Sequence, residues 1–181
     1  MLANAKLNNV QNNKKATNDE FYTRLGDIEK ELNELNEHDP KAFKNKVIFC
    51  NYDDPSSKNV WRFFHMNFHR LGLKKLIASH YAMDGSSSYA LTYDSKKPQD
   101  DVDFSKGTKV MLKGDGDFRS LLKQSDMVVR NLPSSLFWVY IAQLEQYTTP
   151  YSVIGNRSAI TCKAIFPLLK DEKTVFWLFT A

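Results

Sequence analysis

The stretch 47–80, VIFCNYDDPSSKNVWRFFHMNFHRLGLKKLIASH, decides the fold. Val47-Ile48-Phe49-Cys50 is a short apolar run, mostly β-branched and aromatic, closed by the turn chemistry of Asn51 to Pro55, and it reads as a fully buried strand. Between Asn59 and Leu71, Val60, Phe63, Phe64, Asn67, Phe68 and Leu71 recur at helical spacing, and Gly72 stands where a left-handed residue ends a helix. Lys75 to His80 then resumes as a strand. Strand, helix and strand within about 35 residues form the unit that builds parallel sheets through a right-handed crossover.

Working outward, the N-terminal side predicts a helix from Asn18 or Asp19. A capping residue there precedes Phe21, Leu25, Ile28, Leu32 and Leu35, which make one apolar stripe. Residues 1–16 are polar and aperiodic and read as a disordered arm, leaving 17–181 as one domain. On the C-terminal side, Tyr89, Leu91 and Tyr93 alternate as a strand does and Lys109 to Leu112 resumes as another, a hairpin inserted in the sheet. Strands over Asp126–Val129, Tyr151–Ile154 and Thr174–Phe179 alternate with helices over 134–146 and 159–169. The expectation is an α/β sheet with helices on both faces and ligands at the carboxyl ends of its strands.

Composition adds bounds. The chain has 181 residues, 42% of them apolar, enough for one sizeable core. A formal charge of +4 suits a polyanion without demanding one. Cys50 and Cys162 lack the spacing of a zinc or disulfide framework and read as reduced, and no run approaches a signal peptide or a membrane span. A soluble, cytoplasmic protein with no membrane partner is expected. His65 and His69 lie four apart without the acidic companion of a zinc motif, so no metal is expected. Trp61, Phe63, Phe64 and Phe68 read as core, and Lys74 and Lys75 as an ordinary solvated flank.

Three segments at strand ends carry candidate chemistry: Asn51-Tyr52-Asp53-Asp54-Pro55, Gly114-Asp115-Gly116-Asp117-Phe118-Arg119, and Asn131-Leu132-Pro133-Ser134. Carboxylates there can accept from a ribose hydroxyl, an ammonium or an amino group, and glycines let the backbone approach a ligand closely. Without GxxxxGK[ST] or GxGxxG after the first strand, neither a phosphate-cradling ATPase nor a dinucleotide site is indicated. Taken singly, each segment is also a common turn sequence.

Their order is more specific. Asn18-Asp19-Glu20-Phe21-Tyr22-Thr23, Val47-Ile48-Phe49-Cys50-Asn51 with Asp53-Asp54-Pro55, Leu71-Gly72-Leu73-Lys74-Lys75-Leu76-Ile77, Gly114 to Ser120 and Ile154-Gly155-Asn156 follow one another as in a known family. The chain resembles the EcoRI-type adenine-specific DNA methyltransferases from about residue 17 to 170. The resemblance implies a Rossmann-like S-adenosylmethionine-dependent methyltransferase sheet that moves a methyl group to the exocyclic amino group of adenine in double-stranded DNA, as in restriction-modification, with the base flipped out of the duplex. It implies cofactor contacts at Phe21, Tyr22, Asn51, Asp53, Asp54, Pro55, Asp117 and Phe118, with catalysis at Asn131, Leu132, Pro133 and Ser134.

The family's catalytic sequence is Asn-Pro-Pro-Phe, aligned with Asn131 to Ser134. A side-chain oxygen and a backbone carbonyl accept hydrogen bonds from the amino group, and the aromatic ring stacks on the extruded base. Here Leu132 replaces the first proline and Ser134 the aromatic platform. Stacking of a base on a ring is worth roughly 1–3 kcal/mol, so its loss weakens the flipped state about five- to 150-fold unless Phe137 or Trp138 substitutes. Two departures accompany this: the segment from Arg119 to Asp126 is shorter than the family's, and the sheet is expected to be C-terminally incomplete after Phe179. The alternative expectation is a catalytically inactive cofactor- or DNA-binding remnant of such an enzyme.

Overall fold

The computed structural model of the chain describes residues 25–51, 59–80, 87–94, 108–112, 115–131, 137–146 and 149–154. In chain order the elements are α1 (Leu25–His38), β1 (Val47–Cys50), α2 (Asn59–Met66), β2 (Lys75–His80), β3 (Tyr89–Asp94), β4 (Thr108–Met111), α3 (Asp115–Gln124), β5 (Met127–Asn131), α4 (Phe137–Leu144) and β6 (Tyr151–Ile154). One compact unit holds Leu25–Arg130 with Thr149–Ser152. Of a second unit, the described residues are Asn131, 137–146 and 153–154.

The sheet has the order β4-β3-β2-β1-β5-β6. β1 runs parallel to β2, with Val47 opposite Lys75 and Cys50 opposite Ala78. On its other side β1 runs parallel to β5, with Cys50 opposite Val129. The 47–80 stretch therefore forms the expected parallel pair, with α2 in its connection. Both strands keep the expected ends, β1 because its apolar run stops at the turn chemistry of Asn51. The hairpin of β3 and β4 is antiparallel throughout and continues the sheet outward from β2. The α/β architecture expected from the sequence is present as a mixed sheet with helices.

The core follows the pattern of the sequence. All four residues of β1 are buried, as a strand covered on both faces requires. α1 buries Ile28 and Leu32 and packs against α2, which contributes Trp61, Phe63 and Phe64 at 0% exposure. Phe64 meets Phe43 and Phe63 edge-on, with ring centroids 5.2 Å apart in both pairs. Each such fully buried side chain contributes on the order of 1.5–3 kcal/mol, so Phe49, Trp61, Phe63, Phe64 and Phe68 are stabilising core.

The end of α2 differs from its sequence pattern. The apolar stripe predicts a helix to Leu71, whereas the regular helix stops at Met66 and turns carry the chain to Gly72. The ladder departs from the helix at Phe68, whose N–H turns to the His65 carbonyl at 3.4 Å, one residue after Asn67 makes the last regular bond to the Phe63 carbonyl at 3.1 Å; Asn67 Nδ2 donates to that same carbonyl at 2.9 Å. The expected stop itself is built in full: Gly72 has φ +63°, Leu73 N donates to Phe68 O and Gly72 N to His69 O.

Two further differences concern the second half. Asp115–Gln124 is a helix, where the sequence suggested only a turn segment at a strand end. Asp115 and Asp117 stand in its first turn, a position that favours acidic side chains as strongly as a turn does. The helix expected over 134–146 is described over Phe137–Leu144, with Tyr140, Ile141 and Leu144 buried. The arm 1–16, the first turn of the N-terminal helix, the helix over 159–169, Cys162 and the strand over 174–179 lie outside the described residues.

Candidate active site at the carboxyl end of the central strand

β1 is the strand at which the chain reverses its direction of travel across the sheet. From β1 it moves to β2 on one side, and later returns to pair β5 on the other. In open parallel sheets this arrangement leaves a crevice at the carboxyl end of the strand, because the two connections depart over opposite faces. Asn51 follows β1 at that point and is 2% exposed. Ser79, the penultimate residue of β2, is equally buried, and its Oγ donates to Asn51 Oδ1 at 3.4 Å.

The other expected residues distribute as follows. Asp117 lies exposed in the first turn of α3, and the backbone of Phe118 follows it there. α3 packs against β1. Asn131, the last residue of β5, is half-buried and belongs to the second unit, so it is described apart from Asn51. Phe21, Tyr22, Asp53, Asp54, Pro55, Leu132, Pro133 and Ser134 lie outside the described residues. What the structure brings together is Asn51 with Ser79, a residue that the sequence alone did not single out. No local signal marks it, because the pairing depends on the register of β1 against β2.

The chemistry of this end suits a polar, uncharged contact. A carboxamide and a hydroxyl offer donors and acceptors without a formal charge, and both groups are withdrawn from water, where hydrogen bonds discriminate between ligands best. The opposite end of the same strand is structural: Val47 N donates to Asp126 Oδ2 at 2.8 Å and Asp126 N to Val47 O at 2.9 Å. Among the described residues there is no group of three or more His, Cys, Asp or Glu able to hold a metal ion. His65 is buried with its ring centroid 4.5 Å from that of Tyr93, while His69 is exposed. Among the described residues no helix is long and apolar enough to cross a membrane.

Comparison with known proteins gives a consistent picture. The model of the family described as adenine-specific methyltransferase EcoRI matches residues 9–180. The chain is 41% identical over 196 residues to the type II methyltransferase M.EcoRI of Escherichia coli, covering 98% of this chain and 57% of that protein. It is 40% identical over 165 residues to M.MpnI of Mycoplasma pneumoniae, covering 88% and 47% of the two chains. M.MgeORF184P of Mycoplasma genitalium is 39% identical over 168 residues, covering 90% and 49%. The chain thus spans about half the length of the curated relatives it matches. No solved structure matches it.

Proposed function

The chain belongs to the adenine-specific methyltransferase EcoRI family, and on that premise we propose that it transfers a methyl group from S-adenosylmethionine to the exocyclic amino group of adenine in double-stranded DNA. The observation that carries this reading is the family match across residues 9–180, which spans all three strand-end segments. The burial of Asn51 at the carboxyl end of the switch strand supports it, since a polar side chain withdrawn from water there has the place of a ligand contact.

On this reading Asn51, Asp53, Asp54 and Pro55 form the turn beneath the cofactor, Asp117 and Phe118 border its adenine ring, and Phe21 and Tyr22 pack around its methionine end. A bound S-adenosylmethionine supplies a methyl group on a positively charged sulfur. Asn131 Oδ1 and the Leu132 carbonyl accept hydrogen bonds from the two amino protons of the flipped adenine, which raises the electron density on that nitrogen. Pro133 stiffens the segment, and Ser134 leaves it without the aromatic platform of the family. The compartment this reading implies is the cytoplasm, in keeping with two cysteines that lack a disulfide framework.

The test is incorporation of labelled methyl groups from S-adenosylmethionine into DNA, with calorimetry of cofactor binding alongside. Incorporation into adenine that is lost in Asn131→Ala is the expected result. Cofactor binding by a folded protein without any incorporation would overturn the enzymatic reading, and no binding at all would overturn the cofactor assignment.

A further inference from the structure

The hairpin brings residues of three strands together on one face of the sheet. His80, the last residue of β2, stands opposite Tyr89 on β3, and Tyr89 opposite Met111 on β4, so the three share a face. Lys109, two residues before Met111, lies on that face as well. The rings of His80 and Tyr89 stack with centroids 5.0 Å apart and planes at 24°, and Lys109 Nζ lies 3.7 Å from the centre of the Tyr89 ring. This row crosses the sheet at the end that bears Asn51, because Cys50 is level with Ala78 and both parallel strands finish there. With strands about 4.8 Å apart, β4 stands roughly 14 Å to the side of β1, a separation close to the ~12 Å width of a DNA major groove.

The chemistry of the row fits a phosphate backbone. Residues 75–80, 87–93 and 108–112 contain no carboxylate, Lys109 is exposed, and the exposed Ser87 lies two residues before Tyr89. Lysine ammonium and serine hydroxyl groups are among those that meet phosphate and sugar oxygens, positioning a duplex without reading its sequence. Met111, 49% exposed beside Tyr89, offers apolar surface to the deoxyribose between two phosphates. A lysine on a flexible stem ordinarily samples many positions. The ring next to Lys109 narrows that range and holds the ammonium at one place on the rim before a ligand arrives, which lowers the ordering cost of a contact.

We propose that this row is a DNA-backbone contact: Lys109, held over the Tyr89 ring, gives its ammonium to a duplex phosphate and anchors the DNA beside the crevice at the carboxyl end of β1. The inference rests on the reading of the chain as one that acts on double-stranded DNA. Lys109 touches neither the cofactor nor the target base in this arrangement, so it contributes affinity and leaves base recognition to other residues.

The test is the affinity of the full chain for duplex DNA, read by fluorescence anisotropy from about 50 to about 200 mM salt, with calorimetry of S-adenosylmethionine binding and thermal midpoints as controls. Lys109→Gln weakens binding by the same factor on duplexes of unrelated sequence. It also lowers the slope of log affinity against log salt by about 0.9, the value of one phosphate contact, so its deficit narrows roughly three- to fourfold across that range. Lys109→Arg keeps the charge and retains both affinity and slope. Tyr89→Leu removes the ring and leaves the lysine, and gives a smaller loss of affinity at an unchanged slope. Cofactor affinity stays as it was in Lys109→Gln. An unchanged salt slope in Lys109→Gln, or a loss confined to one DNA sequence, overturns the phosphate contact. So does a dimer in sedimentation that Lys109→Gln disrupts while duplex affinity holds, since the row is then a surface between two copies of the chain. An unsubstituted protein that binds no duplex overturns the reading of DNA as its substrate, and this inference with it.

Discussion

Asp126 and Val47 hold one another by two hydrogen bonds, backbone N–H of Asp126 to the Val47 carbonyl at 2.9 Å and Val47 N–H to the Asp126 carboxylate at 2.8 Å. They are 79 residues apart and join the amino-terminal ends of β1 and β5. The pair sets the register of β1 against β5, at the end of β1 opposite to Asn51. Asp126→Ala leaves the Val47 N–H to water and lowers stability by about 1 kcal/mol, the modest value reflecting the exposure of Asp126. Asp126→Asn keeps an acceptor and loses less. Urea midpoints at constant m decide between them, and equal losses in the two variants count against the carboxylate contact.

Gly72 makes a second prediction. At φ +63° a β-carbon costs roughly 1–2 kcal/mol, and the nearest atom to it is Lys44 Cγ at 3.6 Å, an ordinary contact. The cost of Gly72→Ala is therefore conformational rather than steric. Gly72→Asn, a residue that tolerates this region, loses less than the alanine variant when thermal midpoints are compared. The opposite ranking argues against a left-handed end to the turn.

A third concerns pH. Burial, followed by the Asp27 and Glu34 carboxylates, raises Glu31 on α1 from 4.5 to about 7. The folded protein thus holds this proton more tightly than the unfolded chain, and stability from Glu31 is full below 4.5 and is lost as pH rises through about 7. Glu31→Gln removes that slope and raises stability at pH 8 by about 1 kcal/mol, a figure reduced for the half-exposed position. Thermal midpoints measured from pH 4 to 8 test it; an unaltered slope in the variant shows that another group is responsible.

The segment proposed to be catalytic supplies a fourth. Leu132→Pro combined with Ser134→Phe restores the family sequence at those positions and raises methyl incorporation, by about five- to 150-fold if stacking of the flipped base limits the rate. Cofactor affinity, measured in parallel, stays as it was. A gain in affinity with no gain in incorporation places the defect elsewhere.

How far the sequence reaches is clear from particular residues. β1 and β2 were legible to the residue, because Val47-Ile48-Phe49-Cys50 runs into the turn chemistry of Asn51 and Leu76-Ile77-Ala78 resumes an apolar run directly after the Gly72 stop. The end of α2 was not, since the stripe that places Phe68 and Leu71 on one face says nothing of the Phe68 N–H turning to the His65 carbonyl. Asp115-Gly116-Asp117 suits a turn and a helix start alike, so composition alone did not reveal α3. At the site, the place of Asn51 followed from the end of β1. Its bond to Ser79 spans 28 residues and exists only once two strands are in register, which no local pattern encodes.

Cys50, fully enclosed one residue before Asn51, turns the centre of the sheet into a chemical clock. A thiol is modified only when reagent reaches it, so in a Cys162→Ser background the labelling rate of Cys50 reports how often the middle of the sheet opens. A ligand seated beside Asn51 slows that clock in proportion to its occupancy, and reveals binding without any turnover being observed.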